Sequence, residues 1–177
     1  KNLSDSPIEW SIWEVTQVRR PGIAAFPLNP KPSNPRGWFR LMGPEYPDPD
    51  QVRTIGNVAL VECVPVIDKV GSDSPEGWLA WFSDGLAYIK QWQGRADADY
   101  PDGGCNSEVF TADSTMGDYV ELEVLSPITE LDPAEQTQLI EDWYLVGLEE
   151  PVGDAEGAHE TLQTLRAKGY IPRLSRL

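Results

Sequence analysis

Two glutamates two residues apart, Glu121 and Glu123, stand in the alternating run YVELEVL at Tyr119–Leu125. Period-two alternation puts both on one face of a strand. Like charges held close raise the pKa of one carboxyl, which suits acid–base work near neutral pH. Glu108, in a second alternating run at 106–111, is expected on the same open face. V-E-L-E-V is also what a strand with one solvated face reads without any chemistry, so these acids carry two readings. A further group, Asp97, Asp99 and Asp102 with Asn106 beside it, falls in the Gly-rich stretch ADADYPDGG. Hard oxygen ligands at such spacing suit Ca2+, and calcium is the one cofactor the residues suggest. An EF-hand does not fit, since the third acid comes one residue late and no Glu closes the loop; an acidic turn is the plainer reading.

Seven Trp residues, with Tyr46, Tyr88 and Tyr100, offer faces on which the CH groups of a sugar ring could stack, although most should serve a core. Trp38 sits in NPRGWFR between Arg36 and Arg40. It is expected to be the exposed platform, with the two arginines placed to pair with an acidic sugar. Gly-rich phosphate loops, G-x-S-x-G elbows and zinc spacings are absent. The single histidine, His159, falls on a predicted helix.

The elements that must position these residues are mostly strands. Residues 8–18 (IEWSIWEVTQV) alternate throughout and predict one strand with a Trp on each side. Residues 21–49 hold Pro21, Pro27, Pro30, Pro32, Pro35, Pro44, Pro47 and Pro49, which predicts a long loop with extended pieces. The run 58–67 reads as a buried strand, and 77–82 with 86–92 reads as a hairpin turning on Ser83-Asp84-Gly85. Residues 138–146 predict a last strand. From 154 to 168 the period changes to that of a short helix, with His159, Leu162 and Leu165 on one side and Gly169 as its stop.

At 177 residues the chain fits one domain, 1–177, with a sandwich portion at 8–146 and a helix and tail at 151–177. The net charge is -15, and no Lys or Arg occurs between Ala96 and Leu165. Such a field repels phosphate backbones and anionic lipid, so neither nucleic acid nor a membrane surface is an expected partner. It equally describes a solvated acidic surface. Cys63 and Cys105 are too few for a disulfide framework; Cys63 reads as buried and Cys105, after Gly103-Gly104, as more exposed. No stretch reaches the ~20 apolar residues that cross a bilayer, and the first residues do not open a signal peptide. With no initiator Met, the chain is expected to be a processed form or part of a longer reading frame. The cysteines leave the compartment open, while the placement of the acids is that of a periplasmic or extracellular sugar-handling sandwich.

The segments WSIWEVTQVRRPG, GWLAWFSDGLAYIKQW, YPDGGCNSEVFT and YVELEVLSPITELDPAEQ together resemble an uncharacterised bacterial family related to galactose mutarotase. The resemblance implies an all-β fold, an antiparallel β-sandwich of the mutarotase-like supersandwich type, with a Pro-rich loop and a short C-terminal helix. It implies a carbohydrate ligand and, if there is turnover, an isomerase of the aldose 1-epimerase type. In those enzymes a strand glutamate takes the anomeric hydroxyl proton while histidines assist at the ring oxygen; by position Glu123 is the matching base, but His159 is the only histidine. Members are usually longer, and the match covers their C-terminal portion. An open apolar inner face is therefore expected, covered by a second copy or by a missing N-terminal portion. A non-catalytic structural or assembly domain is the competing reading.

Overall fold

The computed structural model describes residues 1–43 and 51–172. The chain is mostly β, with antiparallel sheets and a C-terminal helix. The strands are β1 (Ile8–Trp10), β2 (Trp13–Arg19), β3 (Ile23–Pro27), β4 (Phe39–Met42), β5 (Val52–Ile55), β6 (Val58–Glu62), β7 (Asp68–Ser72), β8 (Trp78–Ser83) and β9 (Leu86–Trp92). A single irregular helical turn, α1 (Pro101–Gly104), leads into β10 (Ser107–Thr111), β11 (Tyr119–Leu125), β12 (Thr129–Leu131), β13 (Glu141–Gly147) and α2 (Ala155–Ala167).

Two sheets face each other. One has the order β2-β11-β10-β7-β4 and the other β13-β9-β8-β3-β6-β5, while β1 and β12 form a separate small ribbon. Between them lies a core of Phe26, Val61, Leu79, Trp81 and Trp92 from the six-stranded sheet against Val70, Val109, Val120, Leu122 and Val124 from the five-stranded one. The outer face of the six-stranded sheet is covered as well, by Ala158, Leu162 and Leu165 of α2 packing on Ile23, Leu60, Trp78, Phe82 and Ile89. Three layers thus bury both faces of β3 and β8. The inner face expected to stand open is instead covered by the second sheet.

The hairpin forms as the Asp-Gly pair requires, with Asp84 and Gly85 both at positive φ between β8 and β9. Several expectations need correction. Residues 8–18 do not form one strand; the chain breaks at Ser11-Ile12, where Ile12 N–H donates to the Ser126 hydroxyl, and the two halves join different sheets. The Pro-rich region is not simply a loop, because it contains the fully buried β3 and the edge strand β4; Pro44, Pro47, Pro49 and Tyr46 lie outside the described residues. The run 58–67 ends as a strand at Glu62, and the last strand begins at Glu141. On α2 the buried positions are Ala158, Leu162 and Leu165, with His159 half-buried beside them. Cys105 is buried, like Cys63, and burial pushes the Cys63 thiol up to about 12.

Candidate functional site

Antiparallel register brings Glu108 of β10 directly opposite Glu123 of β11, and Glu108 opposite Gly71 of β7. Their neighbours in sequence, Val109, Leu122 and Val124, face the core, so the glutamates face outward from the five-stranded sheet. Both are nevertheless 0% exposed. Gly71 makes this possible: a Cβ there would lie 3.0 Å from both Glu108 Cγ and Cys105 Sγ, so any side chain would displace the acid or the turn that covers it. That turn, Asp102-Gly103-Gly104, runs through three consecutive positive φ angles, which folds the chain sharply back over the sheet.

One lysine joins the two acids. Lys69 of β7 places Nζ 2.6 Å from Glu108 Oε2 and 2.9 Å from Glu123 Oε2. The Trp13 indole N–H donates to Glu123 Oε2 at 2.5 Å, and Lys69 Nζ lies 5.3 Å from the centroid of the same ring. Among the described residues, Glu108 Oε1 and Glu123 Oε1 have no hydrogen-bond partner. Burial pushes the Glu108 carboxyl up to about 7, with Lys69 pulling the other way and Glu123 adding to the rise. Glu123 is raised by burial too, against its bonds to Lys69 and Trp13. Burial alone would lower Lys69, but its bonds to Glu108 and Glu123 outweigh it and the ammonium is held more firmly.

Above this cluster lies a cleft of about 210 Å3 lined by Ser11, Trp13, Lys69, Pro101, Asp102 and Leu125. Trp13 is 60% exposed and Lys69 is the cluster member that lines the cleft. This is below the usual span for drug-sized ligands and suits one small ring. A larger cavity of about 590 Å3 lies elsewhere, between Leu60, Cys63, Phe82 and the start of α2; its Arg53 is bound to Glu156, and none of the acids singled out from the sequence lines it.

No family model, curated protein or solved structure matches the chain. The site therefore rests on its own atoms.

Of the residues expected to act together, Glu123 and Glu108 meet, while Glu121 sits one pleat away on the same face and accepts from Gln17 Nε2 at 3.0 Å. The close pair is thus Glu123 with Glu108, across strands, rather than Glu123 with Glu121 along one. Trp38 is not an exposed platform: it is 5% exposed, in the core beside Leu28, with the Arg36 guanidinium 5.4 Å from its ring centroid. Arg40 is engaged by the buried Asp68. Tyr100 is buried, its hydroxyl accepting from Arg95 N–H at 3.1 Å, and so anchors the loop rather than stacking a sugar. Asp97 and Asp99 are exposed and do not converge with Asp102; among the described residues no group of three acids, histidines or cysteines could hold a metal ion.

Two residues of the site went unread in the sequence. Lys69 stands in DKVGS, whose polar and glycine content hides a strand, and Trp13 had been read only as one of many aromatics. The same device recurs: Lys90 of β9, fully buried, is bound to Glu14 and lies 3.4 Å from Glu141, while Trp143 donates to Glu141 at 2.8 Å and Lys90 lies 5.7 Å from its ring centroid.

Proposed function

We propose that this chain is a carbohydrate-binding domain of the mutarotase-like kind, with the Trp13–Lys69 cleft as its sugar site. The observation that carries the reading is an exposed indole fixed at the mouth of a one-ring cleft whose inner wall is an ammonium held by two buried carboxyls. An exposed Trp offers its face to the CH groups of a pyranose, and Lys69 donates to a ring or hydroxyl oxygen. Glu108 and Glu123 fix where that ammonium points, and Asp102, which also lines the cleft, supplies an acceptor.

Recognition is favoured over turnover by the same atoms. An epimerase with Glu123 as general base needs that carboxylate within reach of an anomeric hydroxyl. Here both carboxyls are sealed from solvent behind Lys69, and Lys69 holds its proton more firmly than a free lysine.

The test is titration of monosaccharides, neutral and acidic, while the Trp13 indole N–H resonance is followed by NMR, with polarimetry on the same sugars to detect mutarotation. One sugar class should move that resonance saturably, and Trp13→Ala should weaken binding about tenfold, the loss of one stacking contact of about 1.4 kcal/mol. No saturable shift with any sugar would end the reading; mutarotation abolished by Glu123→Gln would restore Glu123 as a base.

A further inference from the structure

The six-stranded sheet ends on β13, whose seven residues pair with β9 without a bulge from Glu141↔Trp92 to Gly147↔Leu86. Among the described residues nothing pairs with its other side, which leaves a row of free backbone donors and acceptors. Exposed edges of this kind are ordinarily blunted by shortness, a bulge, Pro or charged side chains, Lys above all. The other sheet edges here show such devices: β4 is short and its register shifts between Arg40 and Met42, β5 has four residues and carries Arg53, and β2 ends on exposed Arg19. Past Glu141 and Asp142 at its start, β13 has none. Its sequence EDWYLVG holds no Lys, Arg or Pro, and it is long and regular.

The side chains add to the bare backbone. Trp143 pairs with Lys90 and Leu145 with Tyr88, so both face the inside of the sandwich, yet they are 56% and 69% exposed because the facing sheet stops at β2. Leu86, paired with Gly147, extends the same apolar strip. Trp143 is held rigid by its bond to Glu141, the Lys90 ammonium over its ring and the edge of Tyr88 at 5.9 Å. A fixed, half-exposed Trp on an unprotected edge is the kind of anchor around which interfaces are built.

We infer that β13 is the surface by which two copies of this chain pair, antiparallel and edge to edge, into one continuous sheet. The strand's own order selects this occupant. A two-fold axis at Tyr144 pairs all seven residues and sets Trp143 of each copy beside Leu145 of the other, on the inner face, twice. The same register sets Glu141 opposite Gly147 and Asp142 opposite Val146, so no acid meets an acid although each chain carries a net charge of -15. The contact is independent of the sugar cleft, which lies on the outer face of the other sheet.

Sedimentation velocity of the purified chain at low and at moderate salt reads the outcome. A dimer is expected, favoured as salt screens the repulsion between the two acidic bodies. Leu145→Lys, at an exposed position, should give a monomer with an unchanged circular dichroism spectrum; because it lowers net repulsion, loss of the dimer cannot be charged to added like charge. Mixing Trp143→Cys with Leu145→Cys chains under oxidant should give a cross-linked dimer, as Cys63 and Cys105 are buried. A wild-type monomer at all salt concentrations, a dimer untouched by Leu145→Lys, or a dimer whose mixed cysteines never cross-link would each overturn the proposal.

Discussion

Glu108 and Glu123 are held where a carboxylate is least comfortable, and the proton is how the protein accommodates them. Glu108 is raised from 4.5 to about 7 in the fold, mainly by burial. Between those values the native chain binds more protons than the unfolded one, so this group's contribution to stability is fully present below about 4.5 and is lost as pH rises through about 7. Glu123 and Glu141 are raised as well and act with the same sign. Thermal melts of wild type and Glu108→Gln at about pH 5 and about pH 8 isolate the effect: the wild type should lose more stability across that interval than the variant. Equal losses would show that Glu108 is not the group that titrates. Much of this was open to the sequence at the level of residue type, for Glu108, Glu121 and Glu123 read as acids on one open face of two strands. What alternation could not supply was that a turn covers that face, so that VELEV, the pattern of a solvated strand, here buries Glu123 and leaves Glu121 at the rim. Nor could it supply Lys69, whose partners lie one and two strands away and are chosen by register alone.

Elements with local signals formed where those signals stood. Asp84-Gly85 turned the hairpin, Asp154 caps α2 by accepting from Gly157 N–H at 2.8 Å, and Gly169 at positive φ ends it. Strands buried on both faces were the hard ones. β3 reads IAAFP, with no alternation because the core lies on one side and α2 on the other, and its flanking prolines mimic a loop. This double burial makes α2 a structural layer. Leu162, 3% exposed and packed in the helix-facing cluster, should cost about 2–5 kcal/mol when cut to Ala. Asp154→Ala removes only a cap and should cost about 1 kcal/mol. Urea denaturation of both variants checks the ranking, and a cap variant as damaging as Leu162→Ala would mean that α2 depends on its own turns more than on the sheet beneath it.

At the scale of the whole molecule, charge works against compactness while the ion pairs work locally for it. The chain carries 29 acidic against 14 basic residues. Lys69 and Lys90 are bound within the fold by pairs of glutamates and Arg40 by Asp68, and between Ala96 and Leu165 the sequence holds no Lys or Arg to offset the acids of the second half. The exposed carboxylates repel one another over distances comparable with the Debye length, which is about 30 Å at 0.01 M salt and about 8 Å at physiological ionic strength. Repulsion relaxes on unfolding, because the expanded chain moves the charges apart. The buried pairs are screened far less, since Lys90 is fully buried and Lys69 nearly so. Salt should therefore remove more repulsion than attraction, and the melting temperature should rise as sodium chloride goes from about 0.01 M to about 0.3 M. Most of the gain should come in the first tenfold step, where the Debye length shrinks below the dimensions of the domain. The Leu145→Lys chain makes the comparison clean because it is monomeric under the dimer proposal, so its rise reports the folded body alone. A melting temperature that falls with salt in that variant would mean that the exposed pairs, Arg20 with Asp118 and Arg53 with Glu156, outweigh the field of the whole.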